Sequence, residues 1–185
     1  MVSLPNFFRK AALASFIAVT PANLAYAACI DAFMSGFDEY EAGQPRAKQK
    51  FAIEELLVIC FQAKESGFVA VYDAPALGDY EQLYPNGLTH PGGDTHTPIE
   101  ANKRYCLGGR DTFPMFHPRS EGIGQGKVSI MLTKSTEHQL QPDDFAIPGQ
   151  RVGKQTMELH LSNHSKSSGN CTPREVSYIN YRVTN

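Results

Sequence analysis

The chain has 185 residues and a formal net charge of −2, with 17 lysines and arginines against 19 aspartates and glutamates. A nucleic-acid partner would call for a basic surface, which this balance does not provide. The length suits one domain with its own hydrophobic core. No motif in the sequence requires a cofactor.

The N-terminus has the pattern of a cleavable bacterial secretory signal. A positive pair at residues 9–10 precedes an apolar run over residues 11–19, which is too short to span a bilayer. Ala-Tyr-Ala at residues 25–27 supplies the small side chains that a signal peptidase needs. We therefore expect residues 1–27 to be removed, leaving a mature chain with a net charge of −4, without a membrane span, in the periplasm or secreted.

All four cysteines lie after the predicted cleavage point, at Cys29, Cys60, Cys106 and Cys171. An even number of cysteines in an exported chain predicts two disulfides, and no Cys-x-x-Cys pair indicates a redox or zinc motif. Spacing alone leaves three pairings open. Their positions favour Cys60–Cys106, which would join two strands, and Cys29–Cys171, which would tie the lead-in to a late loop.

The mature chain reads as a polar lead-in over residues 28–50, with one short helical turn or edge strand, and a β domain over residues 51–185. Apolar runs at residues 54–62 and 68–72 flank a Lys-Glu-Ser-Gly turn and predict a hairpin. Further strands are predicted at Tyr80–Tyr84, Arg104–Leu107, Val128–Leu132, Thr156–Leu161 and Val176–Val183.

About seven short strands, many glycines and prolines and no long amphipathic helix predict an all-β fold. We expect an Ig-like β-sandwich with no helix longer than about three turns. A small β-barrel is the alternative.

The order of these segments resembles a bacterial family, domain-of-unknown-function family 4384, over roughly residues 45–135. The resemblance rests on turns and core positions: Ser66–Tyr72, Gly78, Leu83–Asn86, Ile99–Ala101, Phe113–Met115, Pro118–Gly122 and Val128–Leu132. The chain departs from the family in having Asn102 where a glycine is expected, and in its four cysteines. The resemblance implies an Ig-like accessory domain and carries over no catalytic residue or ligand.

One loop has residues that could bind a metal. His90, Asp94 and His96 lie within seven residues, and zinc and copper favour imidazole ligands. A second pair, His160 and His164, is spaced four apart, but the strand predicted there makes both histidines solvent-facing.

Aromatic residues suggest a different site. Tyr72, Tyr80 and Tyr84 lie near the Pro85 turn and are candidates for an exposed binding patch. No Gly-x-Ser-x-Gly motif or suitably spaced pair of carboxylates indicates catalysis. The sequence thus favours a non-catalytic exported domain that binds a protein or envelope polymer through loops at one end of the sandwich. The alternative is a metal-binding protein or metal-dependent enzyme that uses residues 90–96.

Overall fold

Short segments rich in apolar and β-branched residues form most of the strands. The structure, a computed structural model, describes residues 28–85, 95–108, 116, 118, 123–147, 150–166 and 170–185. The predicted signal segment lies outside these residues. Within them the strands, in chain order, are β1 (Ile30–Gly36), β2 (Lys50–Ala52), β3 (Leu57–Ala63), β4 (Gly67–Ala74), β5 (Tyr80–Tyr84), β6 (Thr97–Ile99), β7 (Arg104–Leu107), β8 (Gly124–Thr133), β9 (Phe145–Ile147), β10 (Arg151–Val152), β11 (Ser165–Lys166) and β12 (Arg174–Thr184).

Two short α-helices accompany the strands. Helix α1 (Phe37–Glu41) follows β1, and helix α2 (Lys154–Ser162) follows β10. Single 3-10 turns lie at Thr136–His138 and Pro142–Asp144. In the described part of the chain no helix exceeds three turns, and none is long and apolar enough to cross a membrane.

The strands form two open sheets. The larger sheet has the order β11-β12-β8-β4-β5-β10-β9, with β2 also paired to β12 and β6 to β4. Its central pairs β12–β8 and β8–β4 are antiparallel, whereas β2 and β11 run parallel to β12. The smaller sheet has the antiparallel order β1-β3-β7. The predicted all-β fold is confirmed, with more strands than expected and two of them ten or more residues long.

The larger sheet is covered on both faces. Successive side chains of a strand point to opposite faces, so Val128, Ile130 and Leu132 of β8 pack toward the smaller sheet, as the alternation predicted. Met131 points to the other face and packs in a second apolar cluster with Met157 and Leu161 of α2. The domain therefore has three layers: the smaller sheet, the larger sheet, and a cover made by α2 and neighbouring loops.

Two predicted elements differ from the observed ones. Strands β3 and β4 do not form a hairpin, because β3 pairs with β1 and β7 while β4 pairs with β8, β5 and β6. The turn between them instead crosses from one sheet to the other. The strand predicted at Thr156–Leu161 is wrong, since these residues belong to α2. Met157 and Leu161 are four residues apart and share one helical face, but a segment this short fits either periodicity.

The predicted lead-in contributes to the core. Strand β1 pairs with β3 along seven residues and lies at the edge of the smaller sheet, and α1 follows it directly. Ile30 and Met34 of β1 are buried in the core between the two sheets. Residues 28–50 thus contain both of the elements that the sequence allowed, and they are packed against the rest of the domain.

Both disulfides are formed, in the pairing that the sequence favoured. Cys60 and Cys106 are direct cross-strand partners on β3 and β7, with Cα atoms 4.1 Å apart. Cys29 and Cys171 have Cα atoms 5.3 Å apart and join the start of β1 to the segment before β12. The second bond closes a sequence separation of 142 residues and holds the first strand to the last.

The long disulfide provides a test of this arrangement. Replacing both of its cysteines (Cys29→Ala with Cys171→Ala) should lower the free energy of unfolding by about 4–5 kcal/mol, because the unfolded chain regains the entropy of a large open loop. Urea unfolding followed by circular dichroism measures the change. A loss below about 1 kcal/mol would show that this bond does not constrain the unfolded chain as the structure implies.

Candidate functional site

The predicted tyrosine patch is not a surface. Tyr72 is fully buried and Tyr80 is nearly so, both in the cluster beneath α2, while Tyr84 is half-buried against the core between the sheets. Tyr72 points to the face of β4 that α2 and the neighbouring loops cover. The sequence of β4 alone does not show that this face is covered. Burial raises the pKa of the Tyr72 hydroxyl well above its usual range. The prediction of an exposed binding patch is therefore wrong for Tyr72 and Tyr80.

The predicted metal site is only partly described. His90 and Asp94 lie outside the described residues, and His96 lies just before β6. His96 is buried, with 6% of its surface exposed, and its Nδ1 lies 3.2 Å from Oγ1 of Thr95. Within the described ranges, no three His, Cys, Asp or Glu side chains are placed to hold a metal ion together. Metal binding by residues 90–96 stays a prediction.

The second histidine pair is not solvent-facing as predicted. His160 lies in α2 and His164 lies two residues beyond the end of that helix, and their ring centroids are 4.8 Å apart. Nδ1 of His164 lies 3.0 Å from the carbonyl oxygen of His160, and His164 is 8% exposed. The four-residue spacing was the one feature of the sequence that could have predicted that these two side chains are close together. It does so only if the segment is known to be helical.

His96 completes a group with these two residues, which we call the histidine cluster (His96, His160 and His164). Burial, then the nearby His160 and His164, lowers the pKa of His96 to about 3. Burial, then His164, lowers the pKa of His160 to about 4. The pKa of His164 is also lowered, mainly by burial. At pH 7 His96 and His160 are therefore neutral, and burial favours the neutral form of His164.

Hydrogen bonds fix the surroundings of the histidine cluster. Gln82 on β5 donates from Nε2 to the carbonyl oxygen of Thr95 at 2.9 Å and so positions the residue before His96. Arg174 at the start of β12 donates to Nδ1 of His138 at 2.8 Å. The positive charge of Arg174 contributes to the lowered pKa of both His160 and His164.

The opposite end of β4 has a surface depression of about 410 Å³. Its walls come from the β4–β5 connection, β8 and α2, and include Leu77, Lys127, Lys154 and Glu158. The Nζ of Lys127 lies 4.8 Å from the centre of the Tyr178 ring. Neither lysine forms an ion pair within the described residues. The depression combines an exposed apolar side chain with unpaired charges.

A partly buried carboxyl group, that of Asp73, lies near the same end of β4, on the other face of the sheet. The Tyr181 hydroxyl donates to Asp73, at 2.8 Å from Oδ1 and 3.0 Å from Oδ2. Burial raises the pKa of Asp73 to about 6, although the Tyr181 hydrogen bond opposes the shift. Gly126, the cross-strand neighbour of Tyr181, leaves room for the ring, since a Cβ there would lie 2.3 Å from Cζ of Tyr181.

Removing the hydroxyl (Tyr181→Phe) should raise the pKa of Asp73 above about 6. The raised pKa means that stability falls as pH rises from about 4 to about 6, because the folded protein must then bury a charged carboxylate. In the variant this loss should extend to higher pH and cost about 1.5–3 kcal/mol at pH 8, the value of a hydrogen bond to a charged group. An NMR titration of the Asp73 carboxyl carbon, with urea unfolding at pH 5 and 8, measures both effects.

Tyr178→Phe is the matched control, because Tyr178 lies on the opposite face of β12 and makes no bond to Asp73. It should leave the titration of Asp73 unchanged. Equal pKa values for Asp73 in the Tyr181→Phe variant and the unmodified protein would contradict the assigned hydrogen bond.

Comparison with known proteins supplies no family for this chain. No protein-family model, curated protein or solved structure matches it. The resemblance to domain-of-unknown-function family 4384 accordingly stays a prediction. Within the described residues, the depression at the end of β4 and the histidine cluster are two features that bear on function.

Proposed function

We propose that this chain is a non-catalytic, exported interaction domain with an Ig-like sandwich, which binds a protein or polymer of the bacterial envelope. Two disulfides support export, because such bonds persist in oxidising compartments outside the cytoplasm. The proposed location is the periplasm or the cell exterior. The binding surface is the depression at the end of β4, together with the exposed side chains around it.

The observation that carries the proposal is the position of the exposed apolar side chains. Leu77, Leu159 and Ile123 are the large apolar residues in the described part of the chain that are mostly or substantially exposed, at 75%, 69% and 45%. Leu77 lines the depression, Leu159 directly follows the lining residue Glu158 on α2, and Ile123 directly precedes β8, the strand that contributes Lys127 to the lining. A single exposed leucine is ordinary, but a group around one concave surface is typical of interaction sites.

The chain packing explains why these residues gather there. A Cβ on Gly124 would lie 2.9 Å from Cβ of Ala76, so the start of β8 lies directly against the β4–β5 connection. This contact brings Ile123 close to the segment that holds Leu77. The depression is large enough for one or two side chains of a partner, and Lys127, Lys154 and Glu158 form a polar rim.

Site-specific photo-crosslinking in cells tests the proposal. A photoreactive phenylalanine analogue at Leu77, Ile123 or Leu159 should form an adduct of the same mass from all three positions. At Lys103, which is exposed near the opposite end of the domain, it should form none. Leu77→Asp should reduce the yield from position 159 at least about tenfold, as expected when an anchor side chain is lost.

The matched substitution Lys103→Asp should leave that yield unchanged. Absence of an adduct at all three positions would contradict the proposed surface. An identical set of adducts at position 103 would also contradict it, because contact would then not depend on the depression.

A further inference from the structure

Three basic side chains lie on one face of the larger sheet, next to the depression. Residues that pair across two strands share a face, as do residues two apart on one strand. Lys127 of β8 therefore faces the same side as Met131, which packs under α2, and its partner on β12 is Asn180. Arg182 is two residues further along β12 and pairs with Lys50 of β2. We call Lys50, Lys127 and Arg182 the basic strip.

The cover provided by α2 ends before the basic strip. Lys50 and Arg182 are exposed, and Lys127 is half-buried where it lines the depression. The contact of the Lys127 ammonium with the Tyr178 ring holds that charge in place without neutralising it. In the part of the chain that the structure describes, the ion pairs all involve other basic side chains. The three charges of the basic strip are therefore available to a partner.

The strands of the basic strip supply no acidic side chain on this face near the strip. The other side chains there are those of Gln125, Asn180, Thr184 and Ala52. Arg182 and Lys50 are direct cross-strand partners, and like charges at such positions destabilise a sheet. This grouping occurs in a chain whose acidic residues outnumber its basic ones, 19 to 17. A negatively charged partner would remove the repulsion between the two side chains.

The acidic groups around the depression decide what kind of anionic partner fits. An anionic membrane surface would attract the basic strip. However, Glu158 lines the depression, and Asp79 lies at the start of α2, where its Oδ1 accepts a hydrogen bond from the backbone N–H of Lys154 at 3.3 Å. A membrane surface would repel both carboxylates. An anionic polymer meets the same repulsion and brings no apolar side chain to pack on Leu77. A protein can match both signs of charge and the apolar surface.

We propose that the basic strip binds acidic side chains of a partner protein, which places an apolar side chain in the depression. This inference rests on the proposed function, because it assigns the chemistry of the partner at the same end of the domain. The three charges lie on adjacent strands, which are about 5 Å apart. Two acidic residues of one partner segment can therefore reach the basic strip together.

Photo-crosslinking in cells, with the full chain, tests the basic strip. The photoreactive phenylalanine analogue at position 159 reports how much partner is bound. Lys50→Gln combined with Arg182→Gln should lower that adduct yield about two- to twentyfold, because each exposed ion pair changes an affinity about 1.5- to 5-fold. The analogue at exposed Asn180 should give the same protein adduct. The cross-linked partner peptide should contain at least two acidic residues.

The matched control combines Lys103→Gln with Lys166→Gln. It removes the same amount of charge from exposed positions at the opposite end of the domain, where Lys166 pairs with Val176 near the start of β12. The adduct yield from position 159 should be the same as in the unmodified protein. An equal fall in both double variants would overturn the inference, because net charge rather than the basic strip would then set the yield.

The outcomes separate this inference from the proposed function. An undiminished adduct yield in the Lys50→Gln, Arg182→Gln variant, or a partner peptide without acidic residues, would overturn the inference and leave the proposed function standing. Absence of an adduct at positions 77, 123 and 159 would contradict the proposed function itself.

A membrane partner is tested with vesicles of phosphatidylglycerol and phosphatidylcholine in equal parts. At physiological ionic strength the protein should sediment with them no more than with phosphatidylcholine alone. Sedimentation with the anionic vesicles that is lost in the Lys50→Gln, Arg182→Gln variant would overturn the inference, because the basic strip would then bind lipid.

Discussion

Burial of both faces of the larger sheet is the constraint on which the rest of the structure depends. Strands β4, β8 and β12 are each packed on two sides, so the sheet requires a cover on either face. One cover is the smaller sheet, which brings Ile59 and Phe61 of β3 into the core. The other is α2 with the loops around it, which contribute few apolar side chains. The second cover is thus the less apolar of the two. Both the depression and the histidine cluster lie on its side of the larger sheet.

The smaller sheet, which is the more apolar cover, is the layer that the two disulfides hold in place. The smaller sheet has three strands, which is few for independent stability, and each of them is held by a disulfide within it or at its start. Cys60–Cys106 links its two neighbouring strands, and Cys29–Cys171 attaches β1 to the segment before β12 in the larger sheet. These bonds hold the layer in place and leave the opposite face to be covered by a short helix.

The sequence predicted the strands well where one face is apolar and the other is not. Alternation placed Val128, Ile130 and Leu132 on one face of β8, and the positions of the cysteines favoured the observed pairing. The prediction from the sequence failed where a face of the sheet is covered by residues that are distant in the chain. Tyr72 was predicted to be exposed because no residue near it in the sequence indicates that α2 covers it. Residues 156–161 are too few for their hydrophobic periodicity to distinguish a helix from a strand. The histidine cluster could not be predicted, since its members come from a loop and a helix that only tertiary packing brings together.

Chemical accessibility of two adjacent residues tests the two-sided burial most directly. Ile130 and Met131 point to opposite faces of β8, and both are fully buried. A cysteine at either position should react with iodoacetamide at pH 8 at least about 100-fold more slowly than a cysteine at exposed Leu159, because access requires unfolding. Equal protection of Ile130→Cys and Met131→Cys is the predicted result. Rapid labelling of Met131→Cys, with Ile130→Cys protected, would show that the second face is open and would contradict the account.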